Sequence, residues 1–344
     1  ALRPSPLAAS GAVLSAEALR QQIADILEDR LEGEHASNER MRILCTREAA
    51  DLKREPPPGV AGGMSVEHRM IALRFTRWVA SLLQAPSSCW YQAVRVLDSM
   101  STPIPATETS RTVLIRAAAA FMLCWKLEET RSSFRNDRDL AVVKKAAEAI
   151  LEICDVSSSG ASIDLMEIFE QERGLLMKNP GGMHLPTLQT WLVVIAKRFD
   201  VVTNTVCNPL LEVAAGWIDG LARACVVDAA ASKESRPQVR AAGLVALALA
   251  VAGVIPRDHL RPHGARIDIA IWNAAYDCAS SREGSAGVRD VGEKVGAKLT
   301  GLWHADAITA ALEFAAQMPV QNIRAGVWAI VELAYAEAMG DQRE

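Results

Sequence analysis

The sequence has no surplus of either charge: 37 Lys and Arg stand against 41 Asp and Glu, a formal net charge of −4 over 344 residues. Without a basic excess nothing draws it toward nucleic acid, and without an acidic block there is no sign of a disordered acidic tail. Aromatic residues make up only 5% of the chain, and no stretch alternates apolar and polar residues over the length of a strand. The most apolar run, Gly243 to Ile255, is shorter than the roughly 20 residues that cross a bilayer and reads as a buried helix. The opening residues, Ala-Leu-Arg-Pro-Ser-Pro, show no apolar core of a secretory signal.

The signatures of catalysis are missing as well. There is no GxSxG, no phosphate-binding loop, no GxGxxG after a strand and no HExxH. The glycines between Gly59 and Gly63 lack the lysine of a phosphate loop, and the six histidines occur singly. Seven cysteines (Cys45, Cys89, Cys124, Cys154, Cys207, Cys225 and Cys278) form no CxxC pair and no zinc-like cluster. Their odd number and lack of pattern point to reduced thiols in an intracellular protein. No enzyme, metal centre or cofactor site is therefore expected, and no membrane or nucleic-acid partner.

What is present is helical periodicity over most of the chain, and half of the residues are apolar, enough for a sizeable core. Residues 15–31 place Ala18, Leu19, Ile23, Ile26, Leu27 and Leu31 on one side of a helix. Three prolines and three glycines then break the pattern between Arg54 and Gly63. Helices are predicted after that at 66–84, 88–101, 110–129, 139–154, 162–178, 187–199, 208–228, 237–254, 266–280, 286–300, 304–318 and 322–339. Val113–Trp125 is apolar on every side except at Arg116, and Val239–Val254 except at Arg240. A helix with no polar face has to be enclosed by others. Each is preceded by an amphipathic helix of similar character, so the pattern suggests a duplication: two bundles, each built round one central helix. A single irregular helical domain or a helical-repeat scaffold fits the periodicity equally well.

Three stretches carry a resemblance. Trp90-Tyr-Gln-Ala-Val-Arg-Val-Leu-Asp-Ser-Met100 is followed by Val113-Leu-Ile-Arg-Ala-Ala-Ala-Ala-Phe-Met-Leu-Cys-Trp-Lys-Leu-Glu-Glu129. Glu172 then stands fifteen residues before Thr187, with Pro186 in front. This resembles the cyclin box: an A-v-x-y-l-D-r helix, an alanine-rich buried helix ending in K-x-E-E, and a glutamate helix ahead of a Pro-Thr pair that opens a second box. Ala93, Asp98, Ala119, Ala120, Lys126, Glu128 and Glu129 occupy the family's places. The resemblance covers about residues 66–255. It implies an all-α, cyclin-like fold of two tandem five-helix bundles with an N-terminal helix. The divisions are then an extension at 1–63, a first box at 64–185, and a second box with C-terminal helices at 186–344.

The resemblance implies a function too: a regulatory subunit that binds and activates a cyclin-dependent protein kinase as a heterodimer, in cell-cycle control, in the nucleus or cytoplasm. Lys126 and Glu172 would grip the kinase, with Glu128 and Glu129 beside them. Read as residues alone, Lys126 is also a lysine suited to a helix C-terminus. Glu172 lies on the stripe of Leu165, Ile168, Leu175 and Leu176, where a carboxylate is either paired or reaches water at the margin. Asp98 would form a structural ion pair with Arg69 or Arg74. The family writes its first helix M-R-A-I-L-V-D-W-L; registered on Trp78, its arginine falls on Ala72. Trp78 is read first as a core residue. The alternative is a substrate- or inhibitor-docking patch of Trp78, Phe75 and Leu114, although Ser81 stands where the patch has an acid. Two rivals share the fold: a scaffold without kinase activation, and promoter-binding transcription factors, which are basic and carry zinc ribbons that this chain lacks.

Overall fold

The computed structural model describes residues 21, 38–52, 64–98, 109–128, 137–154, 162–178, 186–203, 205–227, 236–262, 267–300 and 304–340. Among the described residues there are thirteen α-helices, one 3-10 turn and no strand. Except for Gln21, the helix expected at 15–31 lies outside them, as do the linker at 54–63 and the loop at 157–160. By contact the chain divides into two compact units. One runs from Leu44 to Thr187; the other joins Leu188–Glu344 to the residues up to Ile43. The division falls beside Pro186-Thr187, and residues from Leu44 onward go with the first unit rather than with a separate extension.

The boundary crosses helix α1 (Asn38–Leu52), which the periodicity had not revealed. Its buried residues are Met41, Leu44 and Glu48. They sit at helical spacing, but the third is a glutamate, so the apolar stripe is broken in the sequence.

The first unit contains α2 (Val66–Leu82), α3 (Ser87–Asp98), α4 (Ser110–Glu128), α5 (Asp137–Cys154) and α6 (Leu165–Lys178). The Ser65 side chain caps α2 by accepting the His68 N–H at 3.1 Å. The chain leaves that helix through Gln84, at φ +53°, and Pro86 forbids its continuation. Helix α4 is the centre and packs on α2, α3, α5 and α6. From Val113 to Trp125 every residue except Arg116 is buried. Four consecutive alanines, Ala117 to Ala120, are fully enclosed, and their small side chains let the neighbouring helices come close.

The second unit holds α7 (Leu188–Val202), α8 (Asn208–Val227), α9 (Pro237–Val251), a 3-10 turn (Arg257–Leu260), α10 (Ile269–Ser280), α11 (Ser285–Thr300), α12 (Ala305–Ala316) and α13 (Val320–Gly340). Seven helices of this unit lie among the described residues: α12 packs on α7 and α9, and α13 on α8, α9, α10 and α12. Helix α9 is the enclosed one. It starts at Pro237, whose missing N–H costs nothing there, and from Gln238 to Val251 only Val239 is not buried. A Cβ on Gly243 would lie 2.6 Å from the Gly326 carbonyl carbon, so α9 and α13 meet backbone to backbone. The polar residues of this core satisfy helix ends. Arg240 donates to the Cys225 carbonyl at 3.1 Å, Gln238 to Ala316 at 2.8 Å, and fully buried Arg198 to Ala315 at 3.0 Å.

Candidate functional site

Lys126 stands in the last turn of α4, where the helix emerges from its enclosure. Glu172 is on the second turn of α6. The Lys126 ammonium donates to both Glu172 carboxylate oxygens at 2.6 Å, across 46 residues of sequence. The same ammonium lies 5.5 Å from the centroid of the Phe169 ring, one turn before Glu172 on α6, within cation–π range. The Glu172 side chain is 9% exposed and that of Lys126 30%. The carboxylate is thus nearly enclosed and the cation bridges it to the surface. Of the two readings open for Glu172, the paired one holds: a stripe position carries the charge because Lys126 neutralises it.

A second pair ties the same two helices. Arg111, in the first turn of α4, donates to Glu167 and, at 3.2 Å, to the Ser162 carbonyl. Those hydrogen bonds hold the Glu167 carboxyl below its ordinary range. Glu148 of α5 accepts the Ile163 N–H at 3.1 Å and so fixes the approach to α6. Carboxylates only five residues apart on α6 therefore grip cations fifteen residues apart on α4, about 22 Å along its axis. Neither Arg111 nor Phe169 stands out in the sequence; helical spacing of three from Glu172 is the one clue to the ring.

Behind this site, Arg69 at the start of α2 makes a forked bond to Asp98 at the end of α3: Nε to Oδ1 at 2.8 Å and Nη2 to Oδ2 at 2.9 Å. The side chains are 10% and 26% exposed. Of the two arginines nominated for Asp98, Arg69 is the partner; Arg74 is exposed on α2 and takes no part in the pair. Arg95, one turn before Asp98, is pulled below its ordinary basicity by burial, while Asp98 and Glu48 oppose that shift.

Trp78 is not a core residue: it is 41% exposed, on the outer side of α2. Phe75 and Leu114 are both fully buried, so the three residues do not form one docking patch. Glu128 is exposed at the end of α4, and Glu129 lies outside the described residues.

No family model, curated protein or solved structure matches this chain. Among the described residues no three of His, Cys, Asp and Glu gather as a metal site, and no helix is long and apolar enough to cross a membrane.

Proposed function

We propose that this chain is a cyclin-type regulatory subunit that binds a cyclin-dependent protein kinase and activates it, in the nucleus or cytoplasm, with no catalytic group of its own. One observation carries the reading: Lys126 and Glu172, distant in sequence, meet at the end of a helix enclosed by its neighbours. These are the residues that the cyclin-box resemblance assigns to the kinase. The forked Arg69–Asp98 pair supports it independently, since the resemblance assigns that link to the first helix and the end of the second.

In this reading the first unit docks α4's C-terminal end and α6 against the kinase αC helix. That helix turns inward, completes its Lys–Glu ion pair, and lets the activation loop take a productive position. Lys126 is already held by Glu172 and Phe169, so less side-chain entropy is lost on docking. The interface is expected to bury about 1,600 Å² or more.

Affinity capture from the native cell, followed by mass spectrometry and a kinase assay on the captured complex, tests the proposal. A captured protein kinase whose activity needs this chain supports it. A captured kinase that the chain fails to stimulate marks the scaffold alternative, and capture with no kinase at all rejects the family reading.

A further inference from the structure

Helix α6 carries, beside the Lys126–Glu172 cluster, two side chains whose chemistry the kinase-binding reading does not use. Met166 is 60% exposed and Met177 76%. The other described methionines are buried or half-buried, apart from Met339 of α13 at 38%. Met166 and Met177 lie eleven positions apart, three helical turns to within about 20°, so both thioethers stand on one face. Exposed Glu170 and Arg173 share that row. By helical angle, Phe169 and Leu176 fall between the row and Glu172. Leu176 is 44% exposed, and the Phe169 ring lies 5.5 Å from the Lys126 ammonium. Apolar side chains thus lead from that ammonium out to both methionines.

Methionine is flexible and adapts to the surface laid against it. Its thioether is apolar, whereas its sulfoxide is polar and disrupts the contacts the thioether made. An oxidant has to reach the sulfur, so the exposed pair reacts ahead of buried Met122 and Met318. A partner removes the same exposure: a kinase laid along α6 covers the pair, leaving the free chain open to oxidation and the complex closed to it.

We propose that Met166 and Met177 are an oxidative modification site that governs assembly: a hydroperoxide converts both thioethers of the free chain to sulfoxides, and the oxidised face no longer holds the kinase. Each sulfur gives an electron pair to the peroxide oxygen it takes up, the O–O bond breaks, and the other oxygen leaves as water or an alcohol. A methionine sulfoxide reductase reverses the step with a dithiol, which becomes a disulfide as the oxygen departs as water. The consequence for assembly rests on the kinase-binding reading; the reactivity of the pair rests on its exposure alone.

The test treats the full chain with graded hydrogen peroxide, reads sulfoxides by peptide mass spectrometry, and titrates the chain against the co-purifying protein kinase. Met166 and Met177 should oxidise before Met122 and Met318, and the concentration of chain giving half-maximal stimulation should then rise by about tenfold or more. The volume-conserving variant Met166→Leu/Met177→Leu should stimulate like the parent before peroxide and keep that activity after it, which separates these sulfurs from the thiols. Met339→Leu should lose activity as the parent does. Kinase bound beforehand should shield Met166 and Met177 but not Met339. Full stimulation by a chain carrying both sulfoxides overturns the proposal, as does a leucine variant that peroxide inactivates as far as the parent. An untreated chain that stimulates no kinase rejects the kinase-binding reading and this inference with it.

Discussion

Arg69 and Asp98 hold α2 to α3 through two parallel bonds while both side chains are largely out of water. Such a pair contributes little over an apolar replacement, but half of it is costly. Arg69→Met should therefore lower unfolding stability by about 3 kcal/mol, because it strands the Asp98 carboxylate, and the double variant Arg69→Met/Asp98→Leu should recover part of that loss. Chemical denaturation of the three proteins measures both values. The thiols offer a second check at this scale. Burial pushes Cys207 up to about 12 and Cys124 upward as well, and only the thiolate is nucleophilic. At pH 8 an alkylating agent should modify exposed Cys154 quickly and leave buried Cys89, Cys124, Cys207 and Cys225 unmodified until the chain unfolds; peptide mass spectrometry reads the order. Both expectations depend on burial, which periodicity locates well. It did not say which of two arginines, five residues apart on one helix, reaches Asp98; that was decided by which one α2 turns toward α3.

At the scale of elements, close approach divides the glycines into two kinds. Gly243 and Gly326 sit where α9 and α13 touch, with no room for a Cβ on either side. Gly216 and Gly220, on the outer face of α8, would place a Cβ in open space. Gly243→Ala should thus destabilise by about 1–3 kcal/mol through overpacking, whereas Gly216→Ala should stabilise by about 0.5–1 kcal/mol by restricting the unfolded chain and favouring helix. Thermal unfolding of the two variants should move in opposite directions. Most helices were legible in the sequence because each pairs an apolar stripe with a clear stop, such as Pro86 after α2 or Gly253, at φ +73°, after α9. Helix α1 was not, since Glu48 occupies its buried stripe. Helices were expected at 304–318 and 322–339, where α12 and α13 lie, but periodicity does not say which core a helix joins.

Considered as a whole molecule, the chain repeats one solution twice. In each unit a helix without a polar face is wrapped by amphipathic ones, and its lone arginine, Arg116 or Arg240, is accommodated inside the helix pattern. That much could be read from Val113–Trp125 and Val239–Val254, because a helix apolar all round has no stable place at a surface. The meeting of Lys126 with Glu172 could not be read from spacing, since their separation of 46 positions spans a complete helix, α5. It was anticipated only through likeness to a family, and it is the feature on which kinase binding rests. Removing Lys126 alone would leave Glu172 buried and unpaired and confuse loss of binding with loss of fold, so the informative change removes both. The decisive measurement is the activity of the co-purifying protein kinase, reconstituted with this chain or with its Lys126→Ala/Glu172→Ala double variant. The account predicts stimulation by the unaltered chain and at least a tenfold loss with the double variant, whose helical circular dichroism and melting remain close to those of the parent. Full stimulation by a folded double variant would contradict it.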